Sequence, residues 1–99
     1  MVRWDCPPRC LSSHVLPVRP HCEELTWHPS HGDGQVRVVR WTCDCEPVFY
    51  ELCQASGLRF LRRTRRVTIP EGATVAESDR WQAQEADEMW IALLHGLVR

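Results

Sequence analysis

Residues 48–69 read Val48-Phe49-Tyr50-Glu51-Leu52-Cys53-Gln54-Ala55-Ser56-Gly57-Leu58-Arg59-Phe60-Leu61-Arg62-Arg63-Thr64-Arg65-Arg66-Val67-Thr68-Ile69, and the fold turns on whether they form a hairpin. β-Branched and aromatic residues dominate both halves, which argues for two strands joined through Ala55-Ser56-Gly57. A helix over 48–54 competes, because Pro47 suits a first helical position and Gly57 a C-terminal stop. Seven residues make a poor isolated helix, so the hairpin is the reading taken. Strand 58–69 then puts Leu58 and Phe60 on one face and Leu61 on the other, and Pro70 ends it.

Upstream, residues 35–43 (Gln-Val-Arg-Val-Val-Arg-Trp-Thr-Cys) read as a third strand preceded by the turn chemistry of His31-Gly32-Asp33-Gly34. Period-two alternation puts Val39, Trp41 and Cys43 on one face and Val36 and Val38 on the other. Downstream, Thr74-Val75-Ala76-Glu77 has the form of a capping box. Ala83, Ala86, Met89, Trp90, Leu93, Leu94 and Leu97 then fall on one helical stripe, so a C-terminal helix is predicted over 74–96 with Gly96 as its stop. Trp81 falls on the polar side of that helix, where core packing does not explain it.

Residues 1–34 carry Pro7, Pro8, Pro17, Pro20 and Pro29 and read as irregular chain. Such a segment buries little by itself and needs a staple. The 99 residues contain six Cys and five His, 43% hydrophobic and 25% charged residues, which describes one globular domain spanning 1–99. Residues 1–8 lack the apolar run of a secretory signal, and no stretch of about 18 apolar residues exists, so a cytoplasmic protein without a membrane span is expected. Disulfides do not persist in that compartment, which favours metal ligation for the cysteines. The predicted architecture is α+β: a zinc-stapled, Cys/His/Pro-rich region (1–34), a three-stranded antiparallel sheet (35–69) and one amphipathic helix (74–96).

Structural zinc takes four ligands, brought together as short-range pairs. Cys6 and Cys10, at C-x3-C spacing, and Cys43 and Cys45, at C-x-C spacing, form the expected site, with Cys22, His21, His28 and His31 as alternates and His14 a further candidate. An iron–sulfur cluster takes the same thiolates, and Cys43-Asp44-Cys45 also has the form of a redox pair. Cys53, alone among apolar residues, reads as a small buried hydrophobe. A catalytic zinc needs an open position and a nearby acid or base, and no such motif appears, so a Zn2+ with a structural role is expected and an enzyme is not.

All twelve cationic residues are Arg, against thirteen acids, so the net charge of −1 excludes a strongly cationic nucleic-acid coat. The charge is nonetheless segregated: residues 35–70 hold seven arginines against three acids, and residues 71–99 two against six. Arg59, Arg63 and Arg65 share one face of their strand and Arg62 and Arg66 the other, a pattern suited to phosphate contacts. The competing reading pairs this basic strand with the acidic helix. Three function classes follow. The first is a small zinc-stabilised binding module, accessory or regulatory, touching nucleic acid through the five arginines. The second is a protein–protein adaptor or homodimer using the Trp-containing helix. The third is a thiol redox or metal-handling protein.

Overall fold

The computed structural model describes residues 13–30, 35–68 and 71–99. Five strands and one helix follow in order: β1 His28–Pro29, β2 Arg37–Trp41, β3 Val48–Ala55, β4 Leu58–Thr68, β5 Glu71–Glu77 and α1 Ala83–Leu94. The strands form one antiparallel sheet in the order β1-β5-β4-β3-β2. Among the described residues no helix is long and apolar enough to cross a membrane.

The hairpin reading holds over the described residues 48–68. β3 and β4 pair without interruption from Val48↔Arg65 to Ala55↔Leu58. Ser56 and Gly57 both take positive φ, 53° and 78°, as a two-residue turn of the hand that matches strand twist requires. The register sorts the side chains. Tyr50, Leu52 and Leu61 face the helix, where they bury against Ala86, Trp90, Leu93 and Val98. Cys53, Ala55 and Phe60 face the other way and pack with Val36 and Val38. Fully burying a side chain such as Leu52, Leu61 or Leu93 contributes about 1.5–3 kcal/mol, so the helix is held mainly by this stripe.

Three expectations are corrected. The sheet has five strands, not three. Residues 71–77 form β5 along the long β4, with Thr74 opposite Arg65 and Glu77 opposite Arg62, so Thr74–Glu77 is no capping box. An eleven-residue strand with an open edge leaves a row of unpaired backbone groups, and pairing them outweighs a local cap. The helix accordingly starts at Ala83, after Gln82 with no side-chain cap, and not at 74. Its stripe shortens as well: Ala83 and Leu97 are exposed, and Val98 is buried instead because the chain reverses at Gly96. Trp81 lies outside the helix, exchanging two backbone hydrogen bonds with Arg59 at 2.8 and 2.9 Å, which accounts for its place off the stripe.

The third correction concerns β2. The register slips between Val38 and Arg40, so the alternation expected for 35–43 breaks. Val39 packs on the helix-side cluster and Cys43 is buried, while Trp41 is 56% exposed.

Residues 13–25 form a strap. Ser13 bridges Thr42, Leu16 N–H donates to Leu94 O at 2.8 Å, Arg19 N–H to Gly96 O at 2.9 Å, and Glu23 bridges Val98. Gly96 is needed there twice over: its φ is +75°, and a Cβ would collide with the Pro17 carbonyl oxygen. Gly57 has a similar φ of +78° but open space around it. Gly96→Ala is therefore expected to cost about 3 kcal/mol and Gly57→Ala about 1 kcal/mol in urea unfolding, strain alone acting at the second site.

Cys53 is fully buried. Burial pushes its thiol up to about 11 from the ordinary 9.0, with Arg62 opposing and Glu51 and Glu77 adding to the rise. The native state then holds a proton that the unfolded chain loses. The stability tied to this thiol is complete below about pH 9 and declines as the pH rises toward 11, by up to about 1.4 kcal/mol per pH unit. Unfolding free energies of Cys53→Ala against the parent over pH 8–11 should show the flatter slope in the variant.

Candidate metal centre

The turn after β2 is locked from three sides. Thr42 N–H donates to Tyr50 O at 2.8 Å, and Tyr50 N–H returns a bond to Thr42 Oγ1 at 2.9 Å. Arg66 reaches across from β4, donating through N–H to Pro47 O and through Nη1 to Asp44 O at 2.7 Å. Cys43 N–H donates to Ser13 O at 2.8 Å, which brings the start of the strap against the turn.

That contact sets His14 beside the two turn cysteines. His14 Nε2 is 3.3 Å from Cys45 Sγ, and the ligand atoms of His14, Cys43 and Cys45 all lie within 4.8 Å of one another. Ligands around a tetrahedral zinc, at about 2.0–2.3 Å from the metal, stand roughly 3.5–3.8 Å apart, so the three need close by no more than about 1 Å. The residue types suit zinc: two thiolates and one imidazole are the borderline-soft donors it prefers. Cys43 is buried and Cys45 exposed. The Cys45 thiol is raised above its ordinary value by partial desolvation, by the hydrogen bond to Cys43 and its charge, and by Glu46. Two adjacent thiols resist joint ionisation, and a divalent cation between them reverses that balance.

Of the expected ligands, Cys43 and Cys45 are therefore together, and Cys6, Cys10 and His31 lie outside the described residues. The other alternates stand elsewhere. His28 Nε2 pairs with Asp79 Oδ1 at 2.8 Å. His21 is exposed, and the Cys22 thiol donates to Glu23 O at 3.6 Å. His14, only a further candidate by sequence, is the third member. Its signal was the spacing: Cys6, Cys10 and His14 recur every four residues. A cavity of about 360 Å3 adjoins the centre, lined by His14, Cys43, Val15, Pro17, Val48 and Tyr50 among others.

Most of the five arginines face partners within the chain. Arg59 Nη1 donates to Asp87 Oδ1 on α1 at 2.8 Å and its Nε to Gln54 Oε1 at 3.0 Å. Arg62 Nε donates to Glu51 Oε1 at 2.8 Å. Arg63 lies over the Trp27 ring, 4.6 Å from its centroid. Arg66 lies 5.1 Å over Phe49 besides holding Asp44, and Arg65 is exposed. The pairing of basic strand with acidic helix is thus present in Arg59–Asp87.

Comparison with protein families, with curated proteins and with solved structures returned no match.

Only Arg65 and Arg66 of the five are exposed, which limits phosphate contacts through this strand. Anisotropy titrations of duplex DNA at several salt concentrations should give a slope of log K against log salt no steeper than about −2, where five contacts would give about −4.5.

Proposed function

We propose that the protein is a small zinc-stabilised, non-catalytic binding module with an accessory or regulatory role, working in the cytoplasm. The observation that supports this reading is the convergence of His14, Cys43 and Cys45 at the junction of strap and sheet. A metal there reinforces a junction already made by the Cys43–Ser13 backbone bond and the His14–Cys45 contact. A tetrahedral site takes a fourth ligand, and Cys6 and Cys10, outside the described residues, are the candidates for it. The partner is a protein or a nucleic acid, the latter met through Arg65 and Arg66, the exposed two of the five β4 arginines.

A second reading is an adaptor or homodimer using α1. Ile91, 54% exposed on the helix, favours it, although Trp90 is spent in the core.

Protein purified under reducing conditions without added metal should carry one zinc per chain. Chelation should lower Tm by about 10 °C or more, since a metal at a hundred times its Kd adds about 2.7 kcal/mol and each kcal/mol is worth about 4–8 °C at this size. Cys43→Ser, Cys45→Ser and His14→Ala should each abolish stoichiometric zinc, and of Cys6→Ser and Cys10→Ser one should do so. Metal-free protein whose Tm ignores chelator would sink the reading.

A further inference from the structure

Cys43 and Cys45 differ in a way that a purely structural zinc site does not require. Their sulfurs lie within 4.8 Å of each other across one intervening residue, yet Cys45 is exposed in the turn while Cys43 is buried beneath it. The remaining described cysteines are placed apart. Cys53 is fully buried on the far face of the sheet, and Cys22 sits half-buried in the strap with its thiol on Glu23 O.

We propose that this centre is a peroxide-responsive switch, in which Cys45 is the sulfur that attacks peroxide, Cys43 the resolving one, and formation of the Cys43–Cys45 disulfide ejects the metal. The inference rests on the metal centre proposed above. A metal-bound thiolate keeps its nucleophilic electron pair, and oxidation selects the thiolate that solvent reaches. The Cys45 thiolate attacks one oxygen of hydrogen peroxide, breaking the O–O bond, and becomes the sulfenic acid as hydroxide leaves. The Cys43 thiolate then attacks the Cys45 sulfur, forming the S–S bond and expelling a second hydroxide. Two thiolates lose two electrons in total, and one peroxide gains them. Neither disulfide sulfur remains an anionic ligand, so two of the three described donors are lost and Zn2+ departs. A disulfide closed over one residue in an exposed turn belongs to the labile class, which makes the change reversible by thiol reductants.

The geometry also sets what the switch would move. His14 opens the strap that lines the adjoining cavity with Val15 and Pro17, and the metal is its tether to the turn. Release of zinc loosens the strap's first residues. Its later bonds to Leu94 and Gly96 keep the rest against the helix.

The test uses the full chain as purified, treated with one to ten equivalents of hydrogen peroxide. Zinc release is followed with a chromophoric chelator. Cleavage after Arg40 and after Glu51 (the Glu46–Pro47 bond resists proteolysis) isolates Cys43 and Cys45 on one peptide, 41–51, apart from Cys53. The expected result is one zinc released for each 41–51 peptide that has lost two hydrogens, with recovery on adding a thiol reductant and zinc. Cys22→Ser should behave as the parent does. Zinc that stays bound at ten equivalents would overturn the proposal. So would release accompanied by sulfinic acid on 41–51 or by a disulfide to Cys22. Protein that carries no zinc before oxidation would instead refute the metal reading, and the mass of peptide 41–51 would still decide whether the disulfide forms.

Discussion

Eight consecutive residue pairs between β3 and β4 set the arrangement of everything else in the protein. A slip of one residue of β4 against β3 would turn Leu61 away from α1 and carry Phe60 toward it, leaving Leu52 unmatched. The Ser56–Gly57 turn fixes the register, because its backbone conformation permits only two loop residues between the strands. Both core clusters follow. The larger lies under the helix and the smaller on the opposite face, each built from alternate residues of the same two strands.

The candidate metal centre depends on the same ladder at one remove. Tyr50, from β3, holds Thr42 through one backbone bond and one to the Thr42 hydroxyl, and Arg66, from β4, holds Asp44 and Pro47. These contacts shape the turn that presents Cys43 and Cys45. The strap adds His14 because its path is settled three residues farther on, where Gly96 lets Pro17 approach the helix terminus. The three donors thus come from segments about thirty residues apart in sequence, each positioned by contacts that do not involve metal.

The arginines show how a charge pattern in sequence can mislead about surface. Because the chain has no Lys, every cationic contact is a planar guanidinium, and planar guanidiniums serve as lids for aromatic rings. Arg63 lies over Trp27, Arg66 over Phe49, Arg80 over Phe60 and Arg99 over Tyr50. Acidic partners take others: Asp87 for Arg59 and Glu51 for Arg62. What reads as a basic strand is largely a set of internal counter-ions and ring covers. The exposed remainder is small.

From the sequence alone follow the hairpin, the pairing of Cys43 with Cys45, and the helix stripe of Ala86, Trp90 and Leu93, because each rests on residues within a few positions of one another. A turn, a C-x-C step and a helical repeat are local geometry. The competition for residues 74–77 was not legible, since Thr74 and Glu77 satisfy a local cap while the open edge of β4 offers a whole row of backbone partners that only the folded sheet contains. The bulge at Val38–Arg40, the placement of Trp81 beside Arg59 and the arrival of His14 at the turn were likewise decided by tertiary contact. In each case the deciding partner lies nine or more residues away, where periodicity and propensity carry no information.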